Sequence, residues 1–396
     1  MMVARSTPSL APWGWGALVV GVAAAAACAV GYMSAPAMLV RSYLVGYLLC
    51  LGISLGSLAL LMLHNLTGGA WGAAIRRILE AATATLPLLA LLFVPVALGM
   101  PELYVWARPG AASADPLLAS KSIYLNVDAF LLRAIVYFAI WLLLSSLLNR
   151  WSARTQPGNI GRSYRRQQLI SGPGLMLYGL TVTFASVDWA MSIDPHWYSS
   201  MYGVLFIAGQ AVSAISFATL VLIGMGGNSS QSANADDLAP RRLDLGNLLL
   251  TFVMFWTYVA FMQYLIVWSG NLPEETPWYL VRSTGGWHVV VVALMAFHFA
   301  VPFLLLLSAS VKQSPRRLAL VAGLLLLMRF VDLFWLIMPT YVEKFSVHWL
   351  NVAAPVAVIG VWLAFYVWQL SRRLRLPDHG LYSLNAHDER HTQHAH

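Results

Sequence analysis

Residues 40–64, VRSYLVGYLLCLGISLGSLALLMLH, decide the fold. Between Arg41 at one end and His64 at the other no side chain carries a charge, and the apolar residues fall on every side of a helix. A helix that is hydrophobic all round has no face for water and belongs in a core or a bilayer. The hydrocarbon layer, roughly 30 Å thick, takes about 20 residues per helical crossing, and this run is long enough. Comparable runs occupy 13–32, 76–99, 126–148, 172–191, 199–224, 245–268, 286–311, 317–338 and 348–370. The sequence therefore predicts an all-α polytopic membrane protein of about ten transmembrane helices. Composition agrees: 59% of the 396 residues are hydrophobic and 10% charged, against about a quarter charged in ordinary globular domains. The first run, with Arg5 ahead and Ser34, Ala35 and Ala37 around Pro36 behind, also has the outline of a cleaved signal. Its near-spanning length argues for a retained helix.

The net charge of +8 raises the question of nucleic acid, but placement answers it. With the termini and even-numbered connections on one side, that side holds 17 Lys and Arg residues and the other 5. Such a bias orients a membrane protein with both termini in the cytoplasm. The expected organisation is a cytoplasmic N-terminus (1–12), a membrane domain (13–372) with a polar linker near 225–243, and a cytoplasmic tail (373–396). The linker suggests two helical bundles plus extra helices, although no internal sequence repeat accompanies it. The tail carries His379, His387, His391, His394 and His396 among polar residues, which reads as a solvated, disordered segment before a metal site. Cys28 and Cys50 both lie in apolar runs, and no Cys-x-x-Cys or Cys-x-x-Cys-His is present. The chain is expected to hold no iron–sulfur cluster, haem c or metal of its own. Gly52 and Gly56 form a G-x-x-x-G, a signal for close helix packing and not for substrate.

A charge left deep in lipid is costly, so each one is expected to face protein or water and to have a partner. Asp128 and Arg133 fall in the outer half of the fourth run, Asp188 in the last turn of the fifth, and Arg329 and Asp332 in the outer half of the ninth. Arg133 and Arg329 are the candidate partners of Asp188. Arg329 and Asp332, three apart, share a helix face and can pair; a structural ion pair and a protonatable link both stand at this point. Glu80, four residues after Arg76, reads as a surface salt bridge or, with His64 beside it, as an inner proton entrance. His288 and His298 lie about 15 Å apart along one helix and cannot ligate a single iron; His298, near mid-membrane, is a candidate proton relay. The outer loops add Asp194, His196, Glu274, Glu275 and Arg282. Glu274 and Glu275, between Pro273 and Pro277, form a rigid acidic knuckle suited to docking or proton release. Trp189, Trp197, Trp268, Trp278, Tyr279 and Trp287 suit the aromatic belt at head-group depth.

Three stretches carry a family resemblance: DWAMSIDPHW (188–197), the outer loop 268–287 with its NLPEE core, and KSIYLN (121–126) leading into Arg133. They resemble the ActF family of NrfD-like membrane proteins, subunits of bacterial alternative complex III, and the likeness runs from about the second run through the tenth. The resemblance implies a subunit of a quinol:electron-acceptor oxidoreductase in the bacterial inner membrane. There an iron–sulfur subunit and haem c subunits carry the electrons, an NrfD-like sister (ActC) stands alongside, and polar chains are proposed to conduct protons. It also admits a quinone at this chain and a terminal oxidase as a further partner. Asp188, Asp194 and His196 match the acidic motif, and Glu274, Glu275 and Arg282 match the outer loop. The resulting expectation is an accessory subunit serving proton translocation or quinol-site architecture; the alternatives are a structural anchor and a secondary transporter, the last without the matched half-repeats that such folds show.

Overall fold

The computed structural model describes residues 10–156, 159–226 and 235–375. The His-rich stretch from 376, part of the linker and residues 1–9 lie outside it. Among the described residues the regular elements are helices, with no strand. Ten are long and apolar enough to cross a membrane: α1 Ala11–Ser34, α2 Pro36–Thr67, α3 Ala70–Leu98, α4 Val127–Ala153, α5 Ile160–Ile193, α6 Tyr202–Gly226, α7 Ala239–Gly270, α8 Trp287–Leu307, α9 Pro315–Thr340 and α10 Leu350–Leu374. The chain is thus an all-α multi-pass membrane protein. Its seventh helix begins at Ala235, so the last part of the expected linker is helical.

Two four-helix bundles make up the fold. α2, α3, α4 and α5 pack around one axis, and α6, α7, α8 and α9 around another. α2 and α6 press together where the bundles meet, α10 lies against α2 and α3, and α1 packs chiefly on α10. The sequence explains the close meeting of α2 and α6. A Cβ at Gly56 would strike the backbone carbonyl of Gln210 and the side chain of Ala214, so only glycine fits.

α3 is continuous in hydropathy but not in hydrogen bonding. It breaks into Ala70–Thr83, Leu86–Leu91 and Val94–Leu98, each later piece starting with a proline in its first turn, Pro87 and Pro95. Neighbours bond into the broken helix: Tyr47 donates to the Leu89 carbonyl (3.2 Å), Tyr43 to Leu92 (2.7 Å), and the Trp362 indole to Thr85 Oγ1 (2.9 Å). Such satisfaction is what a bilayer demands of an interrupted span. The loop after α3 folds back under the end of α5. There Tyr104 donates to the Trp189 carbonyl (3.1 Å) and the Trp106 indole to Ser192 (3.1 Å).

This packing corrects the aromatic belt. Trp189, Trp197, Trp278 and Trp287 are all buried in protein, while Trp268 is exposed. Trp189 stacks among Phe93, Phe138, Tyr137 and Trp141, and Trp197 lies flat on Trp278 with ring centroids 4.3 Å apart. Hydropathy weighs a protein interior and a lipid interface alike, and the rings went to the former.

Candidate functional site

Asp188, fully buried, sits where α5 stops. Its partner is Arg133 of α4, not Arg329. The guanidinium grips both carboxylate oxygens, Nε to Oδ2 and Nη2 to Oδ1, each at 2.9 Å, and the Tyr137 hydroxyl donates to Oδ2 at 2.8 Å. Arg133 in turn rests over the Tyr124 ring, 3.9 Å from its centroid, and donates to the Tyr124 carbonyl (3.0 Å). The buried Tyr124 hydroxyl faces the same carboxylate and the Tyr137 hydroxyl. Burial and then the charge of Asp188 push its pKa up, so Tyr124 keeps its proton and stays a donor.

Tyr124 also lines a cavity of about 370 Å³ whose other walls include Lys121, Met191, Pro195, Trp197 and Tyr198. Two of the three distinctive sequence stretches therefore meet around one hollow, of a size that suits a small ring compound. Lys121 donates to the Pro195 carbonyl (2.6 Å). A second tie to the 188–197 stretch is Asp115, which accepts from the Leu117 amide (2.8 Å) and pairs with His196 (2.8 Å).

From Arg133 a line of hydrogen-bonding side chains descends α4 toward the basic end: Tyr137, Trp141, Ser145, Asn149 and Ser152. Steps of three or four residues keep them on one face, and about 28 Å of helix separates the first from the last. Each is engaged across the bundle. The Trp141 indole donates to Thr181 Oγ1 (2.8 Å), Ser145 to the Thr83 carbonyl (2.9 Å), Asn149 to Thr83 Oγ1 (3.0 Å) and Ser152 to Glu80 Oε1 (2.5 Å). α5 supplies a matching row: Ser163, Gln167, Ser171, Tyr178 and Thr181.

The row ends at a buried charge cluster. Arg76 donates to Glu80 (2.9 Å), to Asn65 (2.9 Å) and to Gln167, while Arg77 and Arg373 approach the other Glu80 oxygen at 3.8 and 3.6 Å. Arg76 and Glu80 are 5% and 1% exposed, so the surface-salt-bridge reading is corrected: the pair is roofed by α5 and α10. His64 lies beside this cluster, its Nε2 at 3.1 Å from the Gly69 carbonyl and its ring edge-on to Trp71. α2 and α3 are neighbours, as that grouping required.

The second bundle holds its own arginine–aspartate pair. Arg329 and Asp332 bond to each other, both buried. Gly209 of α6 leaves the room that the guanidinium fills. His298, fully buried in a π-helical turn (Leu294–Ala300), lies 4.0 Å from the Trp256 ring, and neither of its ring nitrogens has a hydrogen-bond partner. A π-turn in a spanning helix often marks a functional place. Between the bundles a void of about 20 Å³, lined by Trp141, Ser186, Trp189, Gln210 and Arg329, has room for one water.

The remaining candidates separate. Asp128, expected among the inward-facing charges, lies exposed in the first turn of α4, where a negative charge suits the helix N-terminus. Glu274 is exposed and Glu275 half-buried. Arg282, expected on the outer loop, is buried. It stacks on Trp278 at 3.6 Å and donates to the carbonyls of Trp278 (3.1 Å) and Leu336 (2.9 Å) and to Thr340 Oγ1 (2.8 Å). Burial lowers its pKa to about 10, opposed by the charges of Tyr202 and Asp194; it remains a cation at neutral pH, pinning the α7–α8 loop to α9.

Sequence reasoning passed over Tyr124, Tyr137, Trp141, Asn65, Gln167 and Gln210. The three-and-four spacing of polar groups along 133–152 was the available signal. No protein-family model and no curated protein matches the chain.

Proposed function

We propose that this chain is an integral membrane subunit of a quinol-oxidising respiratory complex of the alternative complex III kind, in the bacterial inner membrane, and that its own task is to carry protons. The respiratory setting rests on the sequence resemblance; partner subunits with iron–sulfur clusters and haem c would move the electrons, beside an NrfD-like sister. The proton task rests on one observation: the polar seam of α4 and α5, running from Glu80 to Asp188 and ending beside a ring-sized cavity.

A quinol gives up two protons as it is oxidised, and groups at the cavity rim must accept them or pass them on. Asp188 is held by three donors, so a proton passing this point has to find Arg133 moved aside. The Tyr124 ring and carbonyl, already in contact with Arg133, give the guanidinium somewhere to stay while the proton passes. Trp141 divides the seam. An indole N–H donates and cannot accept, so the part from Asp188 to Tyr137 and the part from Glu80 to Asn149 communicate only past it, through Thr181 or the one-water void.

The test uses the intact complex purified from its native membranes and reconstituted into liposomes. Asp188→Asn is expected to lower quinol-driven proton movement about tenfold or more, and Trp141→Phe to alter it without abolishing assembly. Unchanged proton movement in both variants would leave a structural anchor, since buried ion pairs often only fix packing. Solute transport by the chain alone in liposomes would place it with secondary transporters instead.

A further inference from the structure

At the basic end of the molecule α1 and α10 enclose a groove that none of the groups above uses. The two helices touch backbone to backbone where Gly21 meets Gly360, and by side chain where Gly14 meets Val367. Beyond that contact a cleft of about 480 Å³ opens. Its floor is apolar, built from Gly14, Leu18, Ala364 and Val367, and Trp15, Trp368, Ser371 and Arg375 stand at its mouth. Trp15 and Trp368 are 68% and 48% exposed, the position of rings that lie at head-group depth.

Three arginines end α10, and they divide. Arg373 turns inward to Glu80 at 3.6 Å. Arg372 stays outside with its guanidinium 4.8 Å from the Trp368 ring centroid, and Arg375 lines the groove. Among the described residues neither Arg372 nor Arg375 has a carboxylate within ion-pair distance.

We propose that this groove binds an anionic phospholipid, with an acyl chain along the Gly14–Leu18 and Ala364–Val367 walls and the phosphate head group between Arg372 and Arg375. An apolar floor with cations at one end matches an amphiphile with a negative head, and surface cations beside a membrane favour anionic over neutral lipids. A second cleft beside α1 supplies the contrast. It is larger, about 630 Å³, yet its lining contains Glu102 and no lysine or arginine. That cleft can take lipid tails but has no means of choosing an anionic head. The lipid site does not depend on the proton-carrying role.

The experiment places the full-length chain in nanodiscs of equal phosphatidylglycerol and phosphatidylcholine and counts retained lipids by native mass spectrometry. Phosphatidylglycerol is expected to be retained preferentially, and the preference to fall about fivefold for each arginine removed in Arg372→Gln and Arg375→Gln. Glu102→Gln is expected to leave it unchanged. Equal retention of the two lipids, or a preference that survives the double variant, overturns the proposal, as does a transmembrane helix of another subunit filling the groove in the purified complex. If the double variant does not yield folded protein, wild type decides: a preference that high salt does not weaken also overturns it.

Discussion

Asp188 and Arg133 form one pair, but they are not equally replaceable. The Asp188 side chain is fully buried and that of Arg133 is 20% exposed. Removing the arginine strands a carboxylate with no water near it, a loss of about 3–5 kcal/mol for a broken buried pair. Asp188→Asn keeps the shape and frees an arginine that can reach solvent, a loss of about 1–3 kcal/mol. Thermal unfolding in detergent should therefore rank Arg133→Ala below Asp188→Asn, and the opposite order would mean that the pair is not the local anchor. Acid acts at a different residue. Asp115 titrates below its ordinary range, first because the Leu117 amide donates to it and also because His196 pairs with it. Because folding lowers this pKa, the contribution of Asp115 is complete above the unfolded value of about 3.9 and vanishes as pH falls through the folded one. Hydrogen exchange in residues 115–121, corrected for intrinsic rate, should stay slow at neutral pH and quicken in strong acid, as the short helix that Asp115 caps loosens. A protection that is flat across that range would contradict this. The sequence named Asp188 as the expensive carboxylate but left Arg133 and Arg329 as rivals, because choosing between them requires knowing which helices adjoin.

Within a helix pair, identical residues carry unequal burdens. A Cβ at Gly56 would run into the Gln210 backbone of α6, whereas one at Gly52 would meet only the Gln210 side chain at an ordinary 3.5 Å. Gly56→Ala should destabilise by about 1–3 kcal/mol through overpacking, and Gly52→Ala should be close to neutral. Equal melting points for the two would show that α2 and α6 separate freely. The G-x-x-x-G was legible in the sequence, and what it joins was not. The seam along α4 was written there too, at 133, 137, 141, 145, 149 and 152. It stayed hidden because tyrosine, tryptophan, serine and asparagine carry no charge and do not interrupt an apolar run. Arg76 and Glu80 were misjudged for a related reason: closeness to the end of a span suggests water, but α5 and α10 close over them.

Across the whole molecule, hydropathy revealed the ten crossings because each must be apolar over the thickness of a bilayer. The polar linker pointed to two bundles with extra helices, but hydropathy could not reveal which helices make up each one, since the halves share an architecture without a shared sequence. The excess of lysine and arginine at one end predicts orientation. With Cys28 and Cys50 replaced by serine, a cysteine at Ala112 should react with an impermeant thiol reagent applied to the non-cytoplasmic face, and one at Arg165 only after permeabilisation; the reverse pattern would invert the molecule. The packing of α1 on α10 has a consequence for biogenesis. The helix that leaves the ribosome early finds its main neighbour only about 300 residues later, roughly 15–60 s at ordinary rates of synthesis. Until then it has only its lesser contact with α2. The same late helix brings Trp362 to Thr85 in broken α3, so the tenth of the spanning helices is the one that closes the molecule. A nascent chain stalled before it would present quality-control proteases with both an orphan helix and an unfinished one.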